Sequence, residues 1–135
     1  MLSQNSMQNS PQLNEAVELL LHRVPAFAKT RSEDSSFMSH GGDDSPYLVF
    51  GDFALFFLQH LQDRGMSKEN EANWLPASLQ VIDQMLTSGD AELENLIQVG
   101  VLEVLDGNPD ALKLVKSHLS AQGQEKFEEW IRISH

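Results

Sequence analysis

At 135 residues and 41% hydrophobic content, the chain reads as one globular domain, long enough to bury roughly two-thirds of the surface its unfolded form exposes. Twenty acidic residues against nine basic ones give a formal net charge of -11, which argues against nucleic acid as a ligand, because phosphate binding needs clustered Lys and Arg. With no cysteine, disulfides and thiolate metal sites are excluded, and the charge points instead to a basic protein partner.

Residues 1–9 are rich in Ser, Asn and Gln and read as a flexible N-terminus ahead of a single helical domain over residues 10–135. That N-terminus has neither a basic stretch nor an apolar one, so no signal peptide is expected and the expected location is cytoplasmic. Ser10-Pro11 reads as a cap followed by Pro at the first helical position. Leu13, Val17, Leu20, Leu21 and Val24 follow at helical spacing, and Pro25 should end that helix near Val24. Residues 26–45, with RSEDSS and SHGGDDSP, read as a long loop pinned by Phe27, Phe37 and Met38. Loops of that length inside a small domain usually carry function or disorder.

Ser45-Pro46 repeats the cap-then-proline signal before a strongly apolar helix that should run to Arg64, with Gly65 after it. Asp52, Gln59 and Asp63 form its thin polar strip. The most apolar window, Tyr47 to Leu58, is too short to span a bilayer, so no membrane partner is expected. Ser67 caps a further helix that Pro76 should kink or break around Asn73 to Leu75. Ser88-Gly89 closes it, and Asp90 caps the next, so the two make an antiparallel hairpin.

That next helix, Asp90 to Asp106, is the one the chain is organised around. Leu93, Leu96, Ile97, Gly100, Val101, Val104 and Leu105 make one apolar face, and Val99 and Leu102 add apolar surface opposite. Gly100 costs about 1 kcal/mol against Ala in a helix interior, which a closely approaching neighbour helix would offset. Glu92, Asn95, Glu103 and Asp106 share the narrow polar stripe. Asn108-Pro109 starts a short helix with Leu112, Leu114, Val115 and Leu119, and Ser120 starts a last one carrying Phe127, Trp130 and Ile131. The expected fold is all-α, about six helices in antiparallel hairpins, as a compact bundle or a HEAT-like arrangement.

Chemistry is scarce. His22, His40, His60, His118 and His135 show no metal-ligand spacing. The calcium-loop-like start at Asp106, Asn108 and Asp110 fails at Ala111 and Ser117. Asp43 and Asp44 beside His40 could serve a metal-dependent hydrolase, but no partner motif accompanies them. No enzyme, cofactor or metal is therefore expected. The candidate binding residues are the loop acids Glu33, Asp34, Asp43 and Asp44 and the stripe Glu92, Asn95, Glu103 and Asp106, with Glu125, Glu128 and Glu129 on the last helix adding negative charge. Solvated helix faces would look the same.

The segment Ser88 to Gly107 resembles a family of small bacterial proteins that share a Gly-Asp turn, an acidic pair and an apolar helix. The matching residues are Gly89, Asp90, Glu92, Glu94, Asn95, Leu96, Ile97, Val99, Val101, Leu102, Glu103 and Leu105, and Pro46-Tyr47-Leu48 and Val24-Pro25-Ala26-Phe27 are similar to it too. Ala26 stands where that family prefers an acid, and Val101 where it prefers an aromatic. The similarity spans residues 12–133. Its members often lie beside polymorphic toxin genes of the Rhs and contact-dependent systems. The resemblance thus implies an immunity protein that binds and neutralises a cognate toxin domain, a basic one such as a nuclease or nucleotide-acting enzyme. It assigns no contact residues, since the motif is mostly core. The rival expectation is a non-enzymatic helical adaptor or scaffold with a housekeeping partner, able to pair with a second copy through its Phe-rich helix.

Overall fold

Proline sets most of the helix starts. Pro11, Pro25, Pro46 and Pro109 each occupy the first residue of a helix, where the missing N–H would have no intrahelical partner anyway. The computed structural model describes residues 11–33, 45–62 and 68–134. Among them lie seven helices: α1 (Pro11–Arg23), α2 (Pro25–Glu33), α3 (Pro46–Gln62), α4 (Lys68–Leu86), α5, α6 (Pro109–Ser117) and α7 (Ala121–Ser134). Helix α5 runs Ala91–Ile97, passes through a π turn, Gln98–Leu102, and ends with Glu103–Leu105.

The fold is all-α, as expected, and it is a compact bundle. Helix α1 packs on α3, α4 and α5, and α4 reaches α7, contacts that a stack of successive hairpins would not make. One hydrophobic cluster runs through it, from Leu20 and Phe27 through Phe53 and Phe57 to Leu96, Val115 and Phe127. Helix α5 is central, touching α1, α3, α4 and α6. Gly100 is the reason its π turn fits against α3: a Cβ there would stand 3.2 Å from the Phe50 Cβ.

Four local expectations change. The stretch expected to be a loop from residue 26 begins as helix α2: the first helix ends at Arg23, as expected, but Pro25 then starts a new one at once. That helix has little apolar periodicity. Phe27 holds it, with its ring centroid 5.5 Å from that of Phe53 and 5.4 Å from that of Phe56. Phe37 and Met38 lie outside the described residues. Asp52, expected on a polar strip, is fully buried and meets Arg31 Nε at 3.5 Å. Helix α4 continues through Pro76 without a break.

The fourth change is in α5. In the π turn the N–H of Glu103 donates to Gln98 O, five residues back, so the helix carries one extra residue there. In a regular helix Val104 would sit about 20° from Ile97, on the core face, and Leu102 roughly 140° away. The extra residue rotates the following turn by about 100°. Leu102 is fully buried as a result, and Val104 is exposed.

The tight turns follow the sequence. Gly89 at φ +79° connects α4 to α5. Asp90 Oδ1 accepts from the N–H of Glu92 (2.9 Å) and of Leu93 (3.4 Å), and Asn108 Oδ1 from that of Ala111 (3.1 Å).

Candidate functional site: the groove between α5 and α7

Helix α7 is placed by its own cap and by a brace from α4. Ser120 Oγ accepts from the N–H of Gly123 (3.1 Å) and donates to Asp83 Oδ1 (2.9 Å). A Cβ at Gly123 would collide with that same carboxylate, so a side chain there would push Asp83 aside. On the other side Lys126 Nζ reaches Glu94 Oε1 at 3.4 Å and ties α7 to α5.

Between these two helices lies a small groove of about 140 Å3. Asn95, Gln98, Val99 and Glu103 line it from α5, and Glu129, Trp130 and Ile133 from α7. The π turn helps assemble it. In an uninterrupted helix Glu103 would lie roughly 80° round the axis from Asn95; with one extra residue the two align to within about 20°. At the upper end Asn95 Nδ2 donates to the Tyr47 hydroxyl of α3 at 2.7 Å. Trp130, only 4% exposed, forms the floor. Among the described residues the exposed large apolar side chains are Tyr47, Val99, Val104 and Ile133, the last at 80%. Two of these four, Val99 and Ile133, line the groove, and Tyr47 adjoins it through its bond to Asn95, a grouping of the kind that marks interaction surfaces.

The charge here is negative and unmatched. Neither Glu103 nor Glu129 has a hydrogen-bond or ion-pair partner among the described residues, whereas Glu94 pairs with Lys126 and Glu128 with Lys116 (2.7 Å). Of the expected stripe, the structure brings Asn95 and Glu103 together. Glu92 and Asp106 are exposed at the two ends of α5 and do not line the groove. Glu33 is the last residue of α2, whose neighbours are α1, α3 and α4, and it does not line the groove. Asp34, Asp43 and Asp44 lie outside the described residues. The groove residues with no place among the expected contacts are Gln98, Val99, Trp130 and Ile133. Val99, Trp130 and Ile133 stood out in the sequence only as apolar helix residues, and Gln98 gave no signal.

Catalytic groupings are not found among the described residues. No set of three or more His, Asp or Glu side chains is placed to hold a metal ion. His60 donates from Nδ1 to Phe56 O (3.1 Å) and packs on the Phe56 and Trp74 rings. The Nδ1 of His118 meets Leu114 O at 3.0 Å, at the end of α6. A larger cleft of about 330 Å3 between α1, the end of α4 and the start of α5 is lined by Ala16, Leu19, Met85 and Leu93, with Glu15 its single ionisable side chain. One carboxylate in an apolar cleft offers no acid–base pair. None of the described helices is long and apolar enough to cross a membrane.

The model of a protein family described as a domain of unknown function (DUF7674) matches residues 17–135. No curated protein and no solved structure matches the chain.

Proposed function

The chain belongs to the DUF7674 family, a domain of unknown function, and we propose that it is a non-catalytic protein-binding domain: an immunity protein that neutralises a cognate toxin domain by docking its α5–α7 face. The observation that carries this reading is the groove itself, where Glu103 and Glu129, unmatched among the described residues, stand beside exposed Val99 and Ile133. Apolar side chains supply the contact area of such an interface, and unpaired carboxylates select a basic partner and speed its approach. The net charge of -11 acts in the same direction over a longer range. The toxin identity of the partner rests on the resemblance of the Gly89 to Leu105 segment, and it places the protein in the cytosol with the toxin's target.

In this mechanism the carboxylates enter a cationic cleft of the toxin that otherwise receives a nucleic acid or nucleotide, and compete with the substrate's phosphates for the same basic residues. The protein needs no chemistry of its own for this; it needs an acidic face, which the α5–α7 groove supplies.

Affinity capture with the tagged full chain from its own cells, washed at high salt, tests the proposal. One basic toxin fragment retained in near-equal amount is the expected result. Retention of housekeeping proteins instead would replace the immunity role with that of an adaptor.

A further inference from the structure

The α5–α7 groove is the wrong size for a metabolite. Its volume of about 140 Å3 lies below the roughly 300–1,000 Å3 of small-molecule sites and suits one side chain from another protein. Its lining says which kind. Glu103 comes from α5 and Glu129 from α7, so two unmatched carboxylates border one space from two helices. Asn95 spends an amide N–H on Tyr47 and keeps its carbonyl oxygen as an acceptor, and Gln98 adds another amide. Trp130 lies at the bottom, while Val99 and Ile133 offer apolar surface beside it.

We infer that this groove seats a single arginine side chain of the partner protein, an inference that rests on the binding role proposed above. A guanidinium is planar and carries five N–H donors, so it can serve carboxylates on both helices at once and lie against an indole. An ammonium is a compact, strongly hydrated point charge that would satisfy one wall and give up more hydration on entering. The aliphatic stem of the arginine meets Val99 and Ile133, which are left exposed in the free protein. The neighbouring carboxylates of Glu94 and Glu128 already hold a lysine each, whereas the two that line the groove meet an incoming cation unpaired.

The test uses Nα-acetyl-argininamide as the probe, with the lysine and citrulline analogues alongside, titrated into isotope-labelled full-length protein at low salt and followed by backbone and indole N–H shifts. The expected result is a saturable shift of Gln98, Val99, Glu103, Trp130 and Ile133, with the arginine probe binding at least about threefold tighter than the lysine one and the neutral citrulline probe silent. The double variant Glu103→Gln/Glu129→Gln should weaken the arginine probe by about tenfold or more, and Glu18→Gln on α1 should leave it unchanged. Equal binding of lysine, shifts scattered over other acidic residues, or an unaffected double variant would overturn the inference. The probe involves no toxin, so the two proposals fail separately. A failed titration beside a captured basic toxin removes the arginine seat alone, and a saturable titration without one removes the immunity role alone.

Discussion

At the α2–α3 seam Asp52 is fully buried and meets Arg31, itself mostly covered, at 3.5 Å. At the α5–α7 groove Glu103 and Glu129 are exposed and unmatched. The two regions use the same chemical group for opposite ends. A carboxylate taken out of water needs a partner inside the fold, because an uncompensated buried charge costs several kcal/mol. A carboxylate left in water needs none, and it keeps its attraction for something outside. The acid inside the Phe-rich helix is thus part of what holds α2 to α3, whereas Glu103 and Glu129, with no partner among the described residues, are open to one from outside.

Substitutions can break this contrast. The largest effect on folding should come from the seam's apolar floor: Phe53→Ala removes a fully buried ring packed against Phe27, Phe50 and Phe57, and should cost about 3–5 kcal/mol in denaturant unfolding. A loss below about 1 kcal/mol would contradict the packing described. Next, Asp52→Ala should cost about 3 kcal/mol because it removes the buried carboxylate that Arg31 meets, whereas Glu103→Gln with Glu129→Gln should change stability by less than about 0.5 kcal/mol and weaken partner binding by about tenfold or more. If the groove pair proved as costly to stability as Asp52, the contrast between the regions would be gone.

A smaller effect sharpens how the groove is held in place. Gly123→Ala pushes the Asp83 carboxylate off Ser120, and Asp83→Ala removes the same bonds, so each should cost about 1 kcal/mol and the double variant little more than either alone. Additive losses in a double-mutant cycle would show that the two do not act through one brace. The smallest effect concerns pH. The hydrogen bond and charge of Lys116, helped by Arg132, hold the Glu128 carboxyl below its ordinary range. Its stabilising contribution is present above the unfolded carboxyl pKa and is lost as pH falls through the lower folded value. Lys116→Met should therefore flatten the acid limb of the stability profile slightly, because the pair is exposed to solvent; an unchanged limb would mean the pair contributes nothing measurable.

Much of the fold was legible because its signals are local. Pro11, Pro46 and Pro109 mark helix starts through their fixed φ and missing N–H, and Asp90 and Asn108 mark them through side chains that cap the backbone. The central place of α5 follows from its apolar residues on two sides, and its need for a close neighbour from Gly100. Helix α2 was hidden because Phe27 is the one wholly buried side chain among its residues whose burial is described, and its helix-long pattern is weak. Half of the candidate site was legible too. Asn95 and Glu103 stood out as polar residues on an apolar helix, but nothing local says that Glu129, Trp130 and Ile133, some thirty positions onward, would close the groove beside them.

The sequence by itself determined the all-α class, the caps and turns, the absence of thiol chemistry and a strongly acidic surface, since each depends on residue type and short-range spacing. Only the tertiary structure decided which acids are internal and which are available. Periodicity assumes one helical geometry throughout, and a single π turn in α5 is enough to turn Leu102 in, turn Val104 out and bring Glu103 round beside Asn95. Packing against Phe50 at Gly100, where there is no side chain to hold the two helices apart, is where that turn sits. Burial of Asp52 is likewise set by what covers it, for Arg31 arrives from a different helix.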